Sequence, residues 1–408
     1  MNTKAGTVII GAGQAGLSCA AELRRRKYDA PVTLVGAEPQ LPYQRPPLSK
    51  AYLSGEMPVE RLWLKPEAFY PASGIACRTN VRVTAIDREA REVVLADGER
   101  IAYEHCVIAT GGEARIPPIP GANLPGVQVL RTMGEADRLS AALEGARSLA
   151  VIGAGYIGLE VAASARKRGL AVTVLEAAER PMARTASPIL GGWFGAIHRG
   201  YGVDLRVSTP VAAITGKNGR AGGVTLDDGE EIAADCVLLA AGLALNTGLA
   251  EAAGLACGDG ILVDAACRTS DPAILACGDI ARFPSALYER SIRLESVQNA
   301  IEQGKAAAAT IMGDAVSYDP VPWFWSDQYE LKLQIAGLIE GADDIVRRGD
   351  PEMGNFAVFH MKQGRIIACE AVNSAPEYMA AQKLIRSARP VDPEALRNLD
   401  VAMRDLLS

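Results

Sequence analysis

The sequence predicts an α/β fold in which two Rossmann-type domains precede a smaller α+β domain. Three observations support this prediction: a glycine fingerprint that occurs twice, a hairpin with a closing strand that also occurs twice, and a change of composition after Pro320. The chain of 408 residues is long enough for two or three domains.

The first fingerprint lies in TVIIGAGQAG. The apolar run Val8–Ile10 predicts a buried strand, and Gly11, Gly13 and Gly16 follow it in G-x-G-x-x-G spacing. Residues 17–27 then have the pattern of a helix. Such a turn lets the backbone approach a pyrophosphate, which the free N–H groups of the helix N-terminus stabilise. The segment therefore predicts a dinucleotide site.

The second fingerprint, LAVIGAGYIG, has Gly153, Gly155 and Gly158 at the same spacing. The apolar strand 172–175 follows it and ends in Glu176, near the position where an acid binds an adenosine ribose. Because a carboxylate there repels a 2′-phosphate, Glu176 favours NADH. Arg180 close by is the cation that NADPH would need, so this alternative stays open.

A hairpin and a closing strand are duplicated with the fingerprints. Asp97 and Asp228, in the two hairpin turns, are 131 residues apart, and so are Gly111 and Gly242 in the small residues that end the closing strands. This constant offset indicates internal duplication. The copies differ after the second strand, where Gly36 stands at the position of Glu176. The nearest carboxylate is Glu38, which either binds a ribose or lies in a solvated loop.

Three further segments are candidates for binding. The loop PYQRPPLSK is stiffened by prolines and presents the cations Arg45 and Lys50, either to a bound anion or to solvent. Glu160, two residues after the second fingerprint, lies either near a nicotinamide or on a solvated helix face. Gly278-Asp279 follows an apolar strand, as expected for an acid that binds a hydroxyl-rich chain such as ribitol; alone, it would be an ordinary turn.

The C-terminal region alternates in hydrophobicity. Segments 331–337, 355–361 and 365–373 predict antiparallel strands, and segments 376–387 and 393–407 predict helices. A helix is also predicted over 296–312. We expect the aromatic run Trp323–Trp325 to be mostly core, with Trp325 at the edge of a cofactor pocket as the alternative.

Composition excludes several classes of protein. The net charge of −6 argues against nucleic-acid binding. The eight cysteines are scattered, so we expect reduced thiols and no metal site. No apolar run approaches the about 20 residues of a membrane span, and we see no signal peptide. A cytoplasmic protein is expected.

The chain resembles the FAD-dependent ferredoxin reductases that serve bacterial oxygenases, the putidaredoxin reductase family, over nearly its whole length. The segments that carry the resemblance are PYQRPPLSK, VIGAGYIGLEVAA, TSDPAILACGDIARF, RLESVQNAIEQG and PWFWSDQYELKLQIAG. The resemblance implies a glutathione-reductase-like fold. Its FAD-binding domain would comprise residues 1–112 and 246–320, its NAD-binding domain residues 113–245, and its C-terminal domain residues 321–408.

The resemblance and the fingerprints together give the candidate site. The expected FAD-binding residues are Gly11, Gly13, Ala15, Gly16, Ala37, Glu38, Arg45, Lys50, Val83, Arg131, Asp279 and Val297. The expected NAD-binding residues are Gly153, Gly155, Tyr156, Ile157, Glu160, Glu176, Arg184, Gly242 and Glu295. Ala37 stands where relatives often carry an acid. Lys50, Glu160 and Glu295 are the candidate catalytic residues, although hydride transfer needs no protein nucleophile or general base.

The implied reaction passes a hydride from NADH to FAD and then single electrons to a 2Fe–2S ferredoxin that feeds a monooxygenase or dioxygenase. Docking would be brief and aided by Arg282, Arg290, Arg293 and Lys332, unless these are ordinary surface charges. We expect a monomer or a weak homodimer. The alternatives are an NADH-dependent disulfide, peroxide or oxygen reductase, which would need a redox cysteine, and a signalling flavoprotein like apoptosis-inducing factor.

Overall fold

The computed structural model describes residues 5–407, which divide into two compact units. The first unit contains the segments 1–44, 59–113 and 244–322 as far as they are described, and the second contains 45–58, 114–243 and 323–408 to the same extent. Every helix within residues 5–407 is too short or too polar to cross a lipid bilayer.

The strands of the described residues are β1 (Gly6–Ile10), β2 (Val32–Val35), β3 (Ile75–Arg78), β4 (Val83–Asp87), β5 (Glu92–Leu95), β6 (Arg100–Ile108), β7 (Gly112–Ala114), β8 (Val127–Gln128), β9 (Ser148–Ile152), β10 (Ala171–Leu175), β11 (Val203–Arg206), β12 (Val211–Lys217), β13 (Arg220–Leu226), β14 (Glu231–Ala233), β15 (Cys236–Leu239), β16 (Leu243–Leu245), β17 (Cys257–Gly258), β18 (Gly260–Leu262), β19 (Ile274–Ala276), β20 (Ala281–Ser285), β21 (Arg290–Arg293), β22 (Trp323–Gln328), β23 (Leu331–Gly337), β24 (Asp344–Asp350), β25 (Asn355–Lys362) and β26 (Arg365–Val372).

The α-helices are α1 (Gln14–Arg25), α2 (Phe69–Ala72), α3 (Met133–Leu143), α4 (Tyr156–Lys167), α5 (Pro188–Gly200), α6 (Gly248–Ala252), α7 (Val297–Ile311), α8 (Ala375–Ser387) and α9 (Pro393–Arg397). Short 3₁₀ turns cover Pro46–Ser49, Val59–Arg61 and Asp405–Leu407.

The first unit is built on a sheet in the order β3-β2-β1-β6-β5-β4, with β19 also paired to β6. Strands β1, β2, β3, β6 and β19 run parallel. Strand β5 pairs antiparallel with β4 and, across the predicted hairpin turn at Asp97, with β6. Helices α1 and α7 bury Leu17, Leu23 and Ala307 in a core shared with Ile9 and Leu275. This packing fixes the fingerprint at the carboxyl edge of the central strand.

The second unit repeats this arrangement with the parallel sheet β11-β10-β9-β15-β8 and the antiparallel sheet β12-β13-β14. Its third sheet has the order β22-β23-β26-β25-β24 and is antiparallel. Buried Glu370 of that sheet accepts hydrogen bonds from the Ser187 N–H at the start of α5 and from His360 Nε2. The sequence-based division into three domains stays a prediction, because a compact unit can hold more than one domain.

Strands β23, β25 and β26 confirm the C-terminal strand predictions to within one residue. The predicted helix 393–407 is wrong, because α9 ends at Arg397. The buried guanidinium of Arg348 accounts for the difference: it donates to the carbonyls of Leu396, Asn398 and Val401. These carbonyls are thereby drawn out of a continuing helical hydrogen-bond pattern.

The aromatic run forms β22, an edge strand that pairs only with β23 in its sheet among the described residues. Trp323, Phe324 and Trp325 are half-buried, so the expectation that they are core is wrong. Phe324 faces α4, where its ring lies 4.6 Å from that of Tyr156.

Candidate functional site

The first fingerprint turn has the backbone that a pyrophosphate requires. Gly11 has φ +117°, and a Cβ there would lie 2.2 Å from the Ala109 carbonyl oxygen. A Cβ on Gly16 would lie 1.9 Å from the Gly11 oxygen, whereas one on Gly13 would meet no atom within 4 Å. The outer glycines therefore allow close packing, and the middle one leaves open backbone before α1. This is the division of roles expected in a dinucleotide site, so these residues fit FAD.

The Gly278–Asp279 turn lies against this fingerprint in the same unit. Gly278 has φ +84°, and a Cβ on it would come within 2.9 Å of the Ala15 side chain. Its N–H donates to Gln303 Oε1 at 2.8 Å, and Gln303 is fully buried in α7. The structure thus brings together two sequence motifs that are about 265 residues apart and leaves Asp279 half-buried beside them.

The remaining candidates of the first unit lie around the same sheet. Glu38 is half-buried and accepts a hydrogen bond from Tyr43 Oη, so its carboxylate is not a freely solvated loop group. Val83 begins β4, and Val297 is the first residue of α7. Ala37 and Glu295 are exposed, and Glu295 pairs with Arg293 at 2.8 Å.

The second fingerprint has the same turn. Gly153 has φ +108°, and a Cβ on Gly158 would lie 2.1 Å from the Gly153 oxygen. Nothing lies within 4 Å of a Cβ on Gly155. Ile157, in the first turn of α4, is 42% exposed. The turn therefore fits a second dinucleotide.

Glu176 is fixed to this turn. One carboxylate oxygen accepts the Ala154 N–H at 2.7 Å, and the other accepts the Ala178 N–H at 2.8 Å. Arg180, the cation that favours NADPH, donates to the carbonyls of Ala186 and Ala183. Its guanidinium is thus engaged in its own loop, while the carboxylate occupies the position expected for a ribose ligand.

Three arginines are further candidates in the second unit. Arg184 is exposed, and its Nη1 lies 3.8 Å from the position of a Cβ on Gly242. Arg45 donates to the Arg131 carbonyl at 2.7 Å, and the Arg131 N–H donates to Glu135. The Pro-rich loop and the start of α3 are therefore joined.

Lys50 and Glu160 form an ion pair of 2.8 Å. The Glu160 side chain is 2% exposed and that of Lys50 19%, so the interpretation of Glu160 as part of a solvated helix face is wrong. Ser49 Oγ donates to Glu160 Oε2, and Ser326 Oγ donates to Oε1 at 2.6 Å. A buried carboxylate needs such donors.

Sequence reasoning missed Ser49 and Ser326 as partners of Glu160. Serine carries no distinctive signal, and the contacts join residues 111 and 166 positions apart. The alternation of Phe324, Ser326 and Gln328 along β22 is a usable signal, because these side chains share one face of the strand.

All eight cysteines are free, and six of them are buried. Desolvation by burial raises the pKa of each thiol, to about 12 for Cys236. Thiolates are therefore scarce at neutral pH. Among residues 5–407, no three His, Cys, Asp or Glu side chains are placed to hold a metal ion.

Comparison with known proteins gives two family matches. Residues 6–304 match the pyridine nucleotide-disulphide oxidoreductase family, and residues 323–407 match the reductase C-terminal family. Rhodocoxin reductase from Rhodococcus erythropolis is 46% identical over 397 residues, which cover 97% of this chain and 93% of the relative. Putidaredoxin reductase CamA from Pseudomonas putida is 38% identical over 413 residues, covering 100% of this chain and 98% of the relative.

A solved structure is similar over the whole chain. The crystal structure of the covalent putidaredoxin reductase–putidaredoxin complex matches with a TM-score of 0.96 and 38% identity, covering 100% of this chain and 99% of that chain.

Proposed function

Since the chain belongs to the pyridine nucleotide-disulphide oxidoreductase family and to its ferredoxin reductases, we propose that it carries electrons from NADH through FAD to a 2Fe–2S ferredoxin of an oxygenase system. The observation that carries this proposal is the similarity over the full chain to a reductase solved in complex with putidaredoxin. Two open fingerprint turns, one in each unit, support it independently.

The first unit carries the proposed FAD fingerprint. Its proposed flavin-binding residues are Gly11, Gly13, Ala15, Gly16, Ala37, Glu38, Val83, Asp279 and Val297. The family resemblance separately implies Arg45, Lys50 and Arg131 as flavin-binding residues. When bound, FAD would accept a hydride and release its two electrons one at a time. The protein's own contribution is placement: open backbone receives the pyrophosphate, and the Asp279 carboxylate receives hydroxyl groups.

The second unit carries the proposed NADH fingerprint. Its proposed NADH-binding residues are Gly153, Gly155, Tyr156, Ile157, Glu160, Glu176, Arg184 and Gly242. The family resemblance separately implies Glu295 as an NADH-binding residue. Glu176 favours NADH, because its carboxylate is held at the turn while Arg180 is engaged elsewhere. Lys50 and Glu160 are the proposed catalytic pair, with Glu295 as a further candidate.

The alternative of a disulfide reductase is disfavoured by the thiols. Such an enzyme needs a reactive cysteine, and the eight cysteines here have raised pKa values because of burial. The alternative of a nucleic-acid-binding signalling flavoprotein is disfavoured by the net charge of −6.

Docking of the ferredoxin is proposed to be transient and electrostatically assisted. Of the four candidate cations, Arg282 and Arg293 both pair with Asp259. Arg290 and Lys332 are the exposed members of this set. We propose a monomer or weak homodimer, located in the cytoplasm because its free cysteines suit a reducing compartment.

The test is NADH-driven reduction of cytochrome c by the FAD-loaded protein, with and without a 2Fe–2S ferredoxin. The proposal expects the rate to rise at least tenfold on addition of the ferredoxin. Rapid NADH consumption without ferredoxin, through oxygen, peroxide or a disulfide, would instead support the alternative reductase.

A further inference from the structure

We propose that Ser326, in the C-terminal part of the chain, is a positioning residue that holds the Glu160 carboxylate against Lys50. The inference rests on the proposed function for its kinetic consequence, but its structural core does not. Ser326 is fully buried, and its Oγ donates to Glu160 Oε1 at 2.6 Å. The same oxygen receives Lys50 Nζ at 2.8 Å.

The carboxylate of Glu160 is surrounded by donors from two separate segments. Ser49 and Lys50 come from the Pro-rich loop, Ser326 comes from β22, and Glu160 itself lies on α4. Ser49 Oγ donates to Glu160 Oε2, whereas Ser326 Oγ and Lys50 Nζ both contact Oε1. Ser326 therefore fixes the oxygen that binds the cation.

Lys50 depends on this arrangement. Besides the ion pair, its Nζ has one described hydrogen bond, to the Pro46 carbonyl at the long distance of 3.5 Å. Because that contact is weak, the orientation of the carboxylate decides where the ammonium lies. A shift of Oε1 would move the charge that we propose to lie beside the flavin.

Ser326 lies at the end of a line of hydrogen bonds that runs from Tyr329 through His198 and Gln328. Gln328 Nε2 donates to Ser326 Oγ at 3.2 Å, and Gln328 Oε1 lies 2.8 Å from His198 Nε2. The Tyr329 hydroxyl lies 3.2 Å from His198 Nδ1. One tautomer satisfies both contacts: His198 carries its proton on Nε2, donates to Gln328 and accepts from Tyr329.

Every group in this line then donates towards Glu160. The Ser326 hydroxyl accepts from Gln328 and has its own proton left for the carboxylate. Hydrogen bonds that run in one direction along a chain polarise one another, which strengthens the final bond from Ser326 to Glu160. Members that are fully buried, such as Ser326, His198 and Gln328 at 1% exposure or less, have no water to replace a lost partner.

The strand geometry explains how the line arises. Phe324, Ser326 and Gln328 alternate along β22 and point to one face, while Tyr156 and Glu160 are four residues apart on one face of α4. Phe324 packs on Tyr156 as Ser326 meets Glu160.

The first test is chemical labelling of the FAD-loaded protein with acetic anhydride, followed by mass spectrometry. In Ser326→Ala, acetylation of Lys50 is expected to rise about threefold relative to exposed Lys383, as in Glu160→Gln. Ser326→Thr keeps the hydroxyl and should return labelling towards wild type. Ser374→Ala is the matched control, because it removes another buried serine hydroxyl from the same region, and it should leave Lys50 labelling unchanged.

The second test is rapid mixing with saturating NADH, which follows flavin reduction. Ser326→Ala is expected to slow this step about tenfold with less than a threefold change in NADH affinity, whereas Ser374→Ala keeps the wild-type rate. If NADH fails to reduce the wild-type flavin, the proposed function fails and the labelling alone decides. Wild-type labelling of Lys50 in Ser326→Ala would overturn the positioning role.

Discussion

The two fingerprint turns are nearly identical, but the strands that follow them end differently. In both copies a Cβ on the third glycine would clash with the oxygen of the first, and the middle glycine faces open space. The N–H of the first glycine donates to the end of the next strand in both, from Gly11 to Val35 and from Gly153 to Leu175. The next residue is Gly36 in one copy and Glu176 in the other.

This difference separates a shared phosphate site from an individual ribose site. A Cβ on Gly36 would lie 2.5 Å from the Ala12 side chain, so the first copy as built has no room for a side chain there. In the second copy the Glu176 carboxylate accepts the N–H of Ala154. Duplication thus preserved the backbone that receives a pyrophosphate, while the residue after the strand differs. The turn therefore indicates a dinucleotide, and the neighbouring side chains indicate which one.

The largest expected effect comes from breaking each turn in the same way. Gly16→Ala should yield protein that purifies without FAD. Gly158→Ala should retain FAD but weaken NADH binding by at least about 100-fold, because each added methyl meets a backbone oxygen at about 2 Å. The measurements are the ratio of absorbance at 450 and 280 nm and the KM for NADH.

Gly192→Ala in α5 is the control for glycine replacement, since its added Cβ meets no atom within 4 Å. It should keep both cofactors and stabilise the helix by about 0.5–1 kcal/mol. Loss of FAD from Gly158→Ala with normal FAD in Gly16→Ala would reverse the assignment of the two copies.

Charge reversal at position 176 should change the choice between NADH and NADPH. Glu176→Arg should shift the ratio of kcat/KM for NADH over NADPH by about 100-fold towards NADPH, roughly 2.7 kcal/mol, because a cation attracts the 2′-phosphate. The matched change Glu38→Arg in the first copy should leave this ratio within threefold of wild type. Unchanged selectivity in Glu176→Arg would remove Glu176 from the site.

Asp279→Ala tests the assignment of the first unit to FAD. Losing a carboxylate hydrogen bond should weaken FAD binding by about tenfold, measured as flavin released during gel filtration. Asp259→Ala is the control, because Asp259 pairs with Arg293 at a half-exposed site. Full flavin occupancy in Asp279→Ala would exclude the proposed role.

The smallest expected effect is on the pH dependence of stability, through one histidine in each unit. Burial lowers the pKa of His198, which a hydrogen bond with Gln328 partly offsets, and burial also lowers the pKa of His105. Their neutral forms therefore stabilise the fold above about pH 6.5. That stability is lost as the pH falls below this value.

Replacing either histidine should reduce the fall of Tm between pH 7 and pH 5. The expected reduction is roughly 1–3 °C, and it should be larger for His198→Gln than for His105→Gln, because His198 is fully buried and His105 is half-buried. Calorimetry at both pH values measures it. If the Tm of both variants falls with pH as much as in wild type, the lowered pKa values of His198 and His105 do not contribute to stability.

Local sequence patterns predicted the features that depend on near neighbours. The fingerprint turns, the duplicated hairpins and three C-terminal strands are set by glycine spacing and alternation. Features set by distant contacts were not predictable. The burial of Glu160 depends on Ser326, 166 residues away, and the early end of α9 depends on Arg348, about 50 residues upstream.

Electron stoichiometry tests whether the protein passes the electrons of NADH to a 2Fe–2S ferredoxin. The FAD-loaded protein is mixed anaerobically with a limiting amount of NADH and an excess of oxidised 2Fe–2S ferredoxin, and both spectra are followed. We expect about two reduced ferredoxins for each NADH oxidised, since NADH delivers two electrons and the ferredoxin accepts one. Oxidation of NADH with the ferredoxin left oxidised would contradict it.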